Sequence, residues 1–180
     1  MCGMIGVISA MAVPMFANAL AEFRVSGDAR NVSNAVAVAK MRAASDFSRV
    51  RLYVNLSDRS FHIESFNKAT SEWGIEGGNT FLSSGVSFSQ GAVATPPPST
   101  QATIGQAPLC TDDAGVPIAN TACIMFNSRG VPIDSSFAPT GLDALYVTDG
   151  PTVFGVTVAA TGMLRGWRTL ATATPSWVLK

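Results

Sequence analysis

Hydrophobic side chains follow two different periods along this chain of 180 residues. No charged residue precedes Glu22, so the chain opens with an uncharged and largely apolar segment that contains Pro14. After Glu22 the apolar residues recur every three or four positions, the spacing of one face of an α-helix. That predicted packing face consists of Val25, Ala29, Val32, Val36, Ala39, Ala43 and Phe47. Together the two segments predict one long helix from Met1 to Phe47, about 70 Å in length.

Beyond Arg49 the period changes to two, which is the alternation of a β-strand. Residues 50–56 and 61–66 alternate in this way on either side of the turn-forming sequence Ser-Asp-Arg-Ser, and they predict a β-hairpin. Five further strands are predicted, in the sequences FLSSGVSFS, ACIMFNSRG, ALYVTD, TVFGVTVAA and MLRGWRTL. The Pro-rich segment from Gly91 to Pro108 predicts a long irregular connection.

This order of elements predicts an α+β fold, in which an antiparallel β-sheet packs on the second half of a long N-terminal helix. We divide the chain into residues 1–23, the apolar transmembrane or stem half of the helix, residues 24–48, its amphipathic half, and residues 49–180, the β-domain. An uncharged apolar segment of this length is near the minimum of about 20 residues that spans a bilayer. Membrane helices also tolerate a proline such as Pro14.

Two other interpretations of the first segment stay open. The sequence Ala17-Asn18-Ala19 has the small-residue pattern that signal peptidase cleaves. A signal peptide also needs a basic residue before its apolar segment, however, and none is present here. The segment could also be a buried helix of a soluble domain. The helical periodicity that continues beyond Ala19 favours the membrane anchor.

Composition bears on the redox state of the cysteines and argues against several kinds of partner and binding site. Twelve basic and twelve acidic residues give a net charge of zero, which argues against a strongly basic nucleic-acid surface. Cys110 and Cys123 close a short loop with turn residues, so they predict a disulfide if the domain is exported, and two core thiols otherwise. Cys2 lies in the apolar segment. The single histidine, His62, and the absence of a Cys-x-x-Cys pair argue against zinc.

Candidate catalytic chemistry is sparse. His62 and Glu64 share one face of a predicted strand and could form half of a metal or acid–base site, but such a pair is more often a solvated strand face. Asp112, Asp113 and Gly115 resemble part of a calcium loop without its alternating carboxylates. No nucleophile motif or phosphate-binding glycine loop is present in the sequence. We therefore expect no enzyme activity, no cofactor and no metal.

Several stretches together resemble a known family. VISAMAVPMF is similar to the apolar stretch, ending in Ala-x-Pro, of the type IV pilin-like superfamily. Within that superfamily, the β-domain resembles the GspH/FimT family of minor pseudopilins and minor pilins. NAVAVAKMRAASDFSRVRLYV resembles the family's helix end and first strand, and CIMFNSRGVPID resembles its Phe-x-x-x-Gly strand and turn, here Phe126 and Gly130. VTVAATGMLRGWR resembles its closing pair of strands.

The resemblance implies a structural subunit, either a minor pseudopilin of a type II secretion system or a minor pilin of a type IV pilus that primes assembly or takes up DNA. Its partners would be other pilin or pseudopilin subunits, the inner membrane and exported protein cargo. It would be a single-pass protein of the bacterial inner membrane, with its C-terminal domain in the periplasm or in a surface filament. We expect the family's processing glycine, and the Phe-Thr-Leu-Ile-Glu-like start that follows it, just upstream of Met1.

Some FimT-like minor pilins resemble DNA receptors with a Gly-Arg-x-Arg motif near the C-terminus. The matching stretch here is GMLR, so Met163 stands in place of the first arginine. Arg165, Trp167 and Arg168 are the candidate DNA contacts, because an indole between two cations could stack on a base. Acidic residues outnumber basic ones over the last eighty residues, which disfavours a phosphate-binding surface, and DNA is not an expected partner.

Overall fold

The structure is a computed structural model that describes the backbone from Cys2 and the side chains from Leu20 to Lys180. The predicted anchor, residues 1–23, therefore lies almost entirely outside the described side chains. Within the described residues, no helix combines the length and the apolar character needed to cross a membrane.

The N-terminal helix α1 spans Cys2–Ser45 and ends two residues earlier than predicted. Its last turn closes with a hydrogen bond from the Asp46 amide to the Arg42 carbonyl, 2.9 Å long. Phe47 then adopts a left-handed backbone conformation with φ of 49°, which terminates a helix and redirects the chain. The prediction that Phe47 belongs to the packing face is wrong, because its side chain is 73% exposed.

Ten strands follow α1 in the described chain, and they form two antiparallel five-stranded sheets rather than the single sheet predicted. The strands are β1 (Val50–Asn55), β2 (Ser60–Asn67), β3 (Glu72–Phe81), β4 (Ser87–Phe88), β5 (Thr121–Phe126), β6 (Pro132–Ile133), β7 (Leu142–Thr148), β8 (Thr152–Ala159), β9 (Leu164–Leu170) and β10 (Val178–Leu179). The first sheet has the order β3-β2-β1-β5-β6, and the second has the order β10-β9-β8-β7-β4. The α+β class is as predicted.

The predicted hairpin is confirmed, since β1 and β2 pair antiparallel from Asn55 opposite Ser60 to Val50 opposite Ser65. The longest strand, β3, was not predicted except for its last residue, Phe81. Nearly all of β3 is exposed on both faces at the edge of the first sheet, so its sequence shows no alternation of apolar and polar residues. Pairing with β2, which only the fold supplies, makes this segment a strand.

The main core lies where α1 packs against both sheets. Six residues of the predicted helix face are buried there, namely Val25, Ala29, Val32, Val36, Ala39 and Ala43. They join one apolar cluster with Leu52 and Phe126 of the first sheet and with Leu145 and Val156 of the second. The helix therefore holds the two sheets together.

A second, smaller core lies on the other face of the second sheet. It is formed by Val93, Ala144, Tyr146 and Val153, with Ile104, Ala171 and Trp177 packed against it. The Tyr146 hydroxyl donates a hydrogen bond to Gln101 Oε1 (2.9 Å), and Trp177 Nε1 donates one to the carbonyl of Thr95 (3.0 Å). The irregular connection between Gly91 and Pro108 is thus a packed cover for this sheet.

One lysine of α1 joins a turn of each sheet. Lys40 Nζ donates a hydrogen bond to the Gly162 carbonyl (2.8 Å), and its side chain lies against Gly130. Gly130 and Gly162 both have left-handed φ values, of 71° and 73°, and a Cβ atom at Gly162 would lie 2.5 Å from the Gly130 carbonyl oxygen. Glycine is required at Gly162 by both the backbone conformation and the close approach.

Candidate functional site

The face of α1 opposite the core exposes a stripe of large apolar side chains. It consists of Leu20, Phe23, Val38 and Met41, and Phe23 is 75% exposed. Leu20 and Val38 are eighteen residues apart, as are Phe23 and Met41, and eighteen residues are five helical turns, so each pair lies on one line along the helix. We call these four residues the exposed stripe. Exposed polar residues between Phe23 and Val38 separate the two ends of the exposed stripe along the helix. Exposed large apolar side chains in line on one helix face are a candidate contact with another protein.

A groove of about 750 Å³ runs between α1 and strands β8 and β9, with Lys180 at one side, beside the exposed stripe. Its apolar walls include Phe23, Phe154 and Leu164. Its charged residues are Glu22, Arg30, Arg168 and Lys180. An ion pair between Glu22 and Arg168 connects the helix to β9 across this groove. The Nε of Arg168 is buried and has no hydrogen-bond partner among the described residues.

The structure does not bring the three candidate DNA contacts together on one surface. Side chains alternate between the two faces of β9, so Arg168 faces α1 while Arg165 and Trp167 face the other side. The indole of Trp167 is 8% exposed, and its Nε1 donates a hydrogen bond to Thr157 Oγ1, 2.9 Å away. A buried indole has no free face on which a base could stack.

Cys110 and Cys123 form a disulfide between strand β5 and the loop that precedes it. Both residues are buried, and hydrogen bonds from the Cys110 amide to Thr121 Oγ1 (3.0 Å) and from the Cys123 amide to the Pro108 carbonyl (2.8 Å) hold the same loop. The bond therefore ties residues 110–123 to the first sheet.

The His62–Glu64 pair does not lie on a solvated face, contrary to the prediction. Glu64 is 7% exposed and accepts hydrogen bonds from Arg51 Nε at 2.5 Å and from His62 Nε2 at 3.0 Å. Arg51 also donates to the carbonyl of Thr111, 2.7 Å away. The His62 ring stacks on Tyr53 with ring centroids 4.8 Å apart, and desolvation of the Tyr53 hydroxyl, followed by the Glu64 charge, raises the pKa of that tyrosine. The carboxylate is thus occupied by structural partners.

The carboxylates of the candidate calcium loop also have structural partners. Asp112 Oδ1 accepts hydrogen bonds from the amides of Ala114 (2.9 Å) and Val116 (2.8 Å), and Asp113 Oδ1 accepts one from the amide of Trp73 (2.8 Å). Over residues 20–180 there is no group of three or more histidine, cysteine, aspartate or glutamate side chains that could hold a metal ion.

Sequence reasoning missed the groove and the polar contacts of α1. Glu22 and Arg30 stand off the predicted packing face, and no spacing connects them to Arg168, so the groove left no signal in the sequence. Asp28 is buried and accepts hydrogen bonds from the amide (2.8 Å) and the hydroxyl (3.1 Å) of Ser83. The sequence did carry a signal for this burial, because Asp28 lies between Val25 and Val32, two positions of the predicted packing face.

Comparison with known proteins defines the class of fold. No protein-family model matches this chain, and no curated protein matches it in sequence. A structure of the minor pseudopilin EpsH from the type 2 secretion system of Vibrio cholerae matches with a TM-score of 0.50 and 13% sequence identity. That match covers 79% of this chain and 95% of the EpsH chain. The chain therefore has a pseudopilin-type fold.

A second structure of EpsH, a crystal structure, also matches, with a TM-score of 0.47 and 13% identity over 85% of this chain and 96% of that chain.

Proposed function

We propose that this protein is a structural minor-pseudopilin subunit of a type II secretion pseudopilus that supports protein export. The observation that carries this proposal is the EpsH-like fold, which spans 95% of the EpsH chain. EpsH is a minor pseudopilin of the type 2 secretion system, and the combination of a long helix and a two-sheet domain would serve the same role here.

Assembly would use the exposed stripe of α1. Leu20, Phe23, Val38 and Met41 are already held on one face of a helix whose opposite face is anchored in the core, so contact with a neighbouring subunit's helix needs no rearrangement. Burial of apolar surface stabilises such a contact by about 25 cal/mol per Å². Other pilin or pseudopilin subunits are the proposed partners, and the groove beside the stripe would widen the contact.

We further propose that residues 1–23 anchor the protein in the bacterial inner membrane by a single pass. The β-domain would then lie in the periplasm or in a surface filament, where the disulfide between Cys110 and Cys123 can persist. Exported cargo is a further candidate partner of this domain.

Deletion of the gene in the bacterium that produces the protein tests whether the protein serves a type II secretion system or a type IV pilus. We expect secreted enzymes to disappear from the culture medium and to accumulate in the periplasm, and the full-length gene to restore secretion. Loss of twitching or of DNA uptake with normal secretion would contradict the pseudopilin assignment and favour a minor pilin of a type IV pilus.

Photo-crosslinking tests the proposed subunit contact directly. A benzoylphenylalanine at Met41, on the exposed stripe, should crosslink the protein to another membrane subunit with a pilin-like helix. The matched control is Val116, which is equally apolar and also exposed (57%, against 62% for Met41) but lies in the disulfide loop. Equal crosslinking from both positions would contradict the assembly through α1.

A further inference from the structure

A group of aromatic side chains surrounds one arginine on the outer face of the first sheet. The Arg49 guanidinium carbon lies 3.7 Å from the centroid of the Phe66 ring and 4.1 Å from that of Phe137. Trp73 contacts Phe66 edge to face, with centroids 5.2 Å apart, and its own centroid is 6.0 Å from the guanidinium. We call these residues, with Phe47, which lies two residues before Arg49 in the chain, the arginine–aromatic patch. Arginine stacks on aromatic faces in this way while its planar N–H edge stays available.

The N–H edge of Arg49 has no hydrogen-bond or ion-pair partner among the described residues. Arg51, two residues further along the chain, also stacks on Trp73, with its guanidinium carbon 4.0 Å from the ring centroid, but it is engaged with Glu64 and the Thr111 carbonyl. Burial lowers the pKa of Arg49, as expected for a cation that has lost part of its hydration without gaining a counter-charge. An anion that met this edge would supply the missing partner.

Two phenylalanines of the patch are exposed and held in strained backbone. Phe47 has φ of 49° and Phe137 has φ of 66°, in the left-handed region that bulky residues rarely occupy. Both rings are exposed, to 73% and 56% respectively. Glycine would fit these φ values without strain. At Phe47 the conformation also ends α1, whereas at Phe137 no helix ends, so there the strained aromatic residue indicates a role for the ring itself. Aromatic residues and arginine are enriched in protein interfaces relative to the rest of a protein surface.

The charges around the arginine–aromatic patch favour one class of anionic partner over another. Asp46 and Glu72 each adjoin a residue of the patch in the chain, Asp113 bonds to the Trp73 amide, and Asp134 lies in the same turn as Phe137. These carboxylates repel a polyanion such as nucleic acid, whose binding depends on many cations together. A ligand with a single carboxylate meets less of that repulsion because it brings only one negative charge, and Lys68, which donates to the Phe47 carbonyl, offsets part of it.

We propose that the arginine–aromatic patch binds a short segment of a partner protein that carries one aspartate or glutamate between apolar residues. The carboxylate would accept two hydrogen bonds from the N–H edge of Arg49, and the apolar neighbours would pack on Phe47 and Phe137. The patch lies on the first sheet, whereas the groove lies against the second, so this binding site is additional to the proposed subunit contact through α1.

Selection from a random-peptide phage library against the purified full-length chain in detergent micelles tests this proposal. We expect enriched peptides with one acidic residue flanked by aromatic or aliphatic residues. Synthetic copies should bind at least about tenfold more weakly when their acidic residue is replaced by its amide. The measurement uses purified protein, so it is independent of the secretion phenotype that tests the proposed function.

Two variants test whether the selected peptides bind at the arginine–aromatic patch. Arg49→Lys keeps the charge but removes the planar fork, and Phe137→Ala removes an exposed ring; each should weaken the selected peptides about tenfold. Arg165→Ala, an exposed arginine on the second sheet, is the matched control and should bind the peptides unchanged. Unaltered far-UV circular dichroism and unfolding temperature would show that the variants are folded.

Three outcomes would overturn the proposal. The first is a selection without enrichment of acidic residues, and the second is equal peptide affinity for Arg49→Lys and the unaltered chain. The third is binding of a short duplex DNA that is lost in Arg49→Lys, since it would assign the patch to phosphate instead of a protein carboxylate.

Discussion

Buried charged residues in this protein differ in whether their charge is compensated. Asp28 accepts two hydrogen bonds from Ser83, and Arg51 and Glu64 neutralise each other. Asp143, 5% exposed on β7, has no hydrogen-bond partner among the described residues. Burial, and secondarily the charge of Asp134, raises the pKa of Asp143 from 3.8 to about 6. A carboxylate of this kind destabilises the fold when it ionises.

Asp143 therefore makes stability depend on pH. The folded protein holds this proton more tightly than the unfolded chain, so its contribution to the free energy of unfolding falls as pH rises from about 4 to about 6. We expect Asp143→Asn to be more stable than the unaltered protein at pH 7 by up to about 3 kcal/mol. The difference should vanish below pH 4, and urea unfolding at a series of pH values measures it.

The control for this measurement is Asp58→Asn in the exposed turn between β1 and β2. It should leave the pH dependence of unfolding as it is in the unaltered protein. An Asp143→Asn protein that is equally or less stable at neutral pH would show that the Asp143 carboxylate is solvated or paired.

At the scale of elements, two contacts hold loops and turns that strand pairing alone does not hold. Lys40 joins one turn of each sheet to α1, and the disulfide joins the loop before β5 to that strand. The loop also has its own turn bonds at Asp112. The disulfide thus adds to a loop that is already structured, and its main effect should be on the unfolded chain.

Replacing both Cys110 and Cys123 by alanine should lower the free energy of unfolding by about 3 kcal/mol in the loop-entropy model. For a chain of this size the unfolding temperature should fall by about 10 °C. Differential scanning calorimetry measures this, and non-reducing mass mapping checks the pairing. Cys2→Ser is the control and should unfold as the unaltered protein does. Free thiols at both Cys110 and Cys123 in protein from the periplasm would refute the bond.

At the scale of the whole molecule, α1 is the element shared by both sheets. The main core joins one face of the helix to residues of β1, β5, β7 and β8, and the smaller core seals the outer face of the second sheet. Both cores consist of residues from Val25 onward, among the described side chains. We therefore expect the part of the chain from Leu20 onward to fold by itself.

Removal of residues 1–19 should accordingly leave a folded monomer with one cooperative unfolding transition. Thermal unfolding followed by near-ultraviolet circular dichroism, which reports the packing of Tyr146 and the tryptophans, measures this, and analytical ultracentrifugation gives the mass. A truncated chain without a cooperative transition would mean that the preceding segment contributes to the core.

Much of the fold and little of the candidate site could be predicted from the sequence. Six of the seven helix-face positions are buried, because a 3.6-residue period records a buried face locally. Phe47 continues that period but lies beyond the helix end, and its own left-handed backbone conformation turns its side chain outward. The groove and the arginine–aromatic patch combine residues that are distant in the chain, such as Glu22 with Arg168 and Arg49 with Phe137, and no local period records such pairs.

The sequence by itself determined the α+β class, six of the seven helix-face positions and the hairpin of β1 and β2, since each depends on short spacings and the properties of neighbouring side chains. It left Cys110 and Cys123 as either a disulfide or two thiols. The tertiary structure alone decided the division into two sheets, the pairing of β3, the hydrogen bond of the buried Trp167 to Thr157 and the ion pair of Arg168 with Glu22. Those features depend on which surfaces meet when the chain folds. A strand with both faces exposed, or an arginine whose partners come from other elements, acquires its role only through that contact.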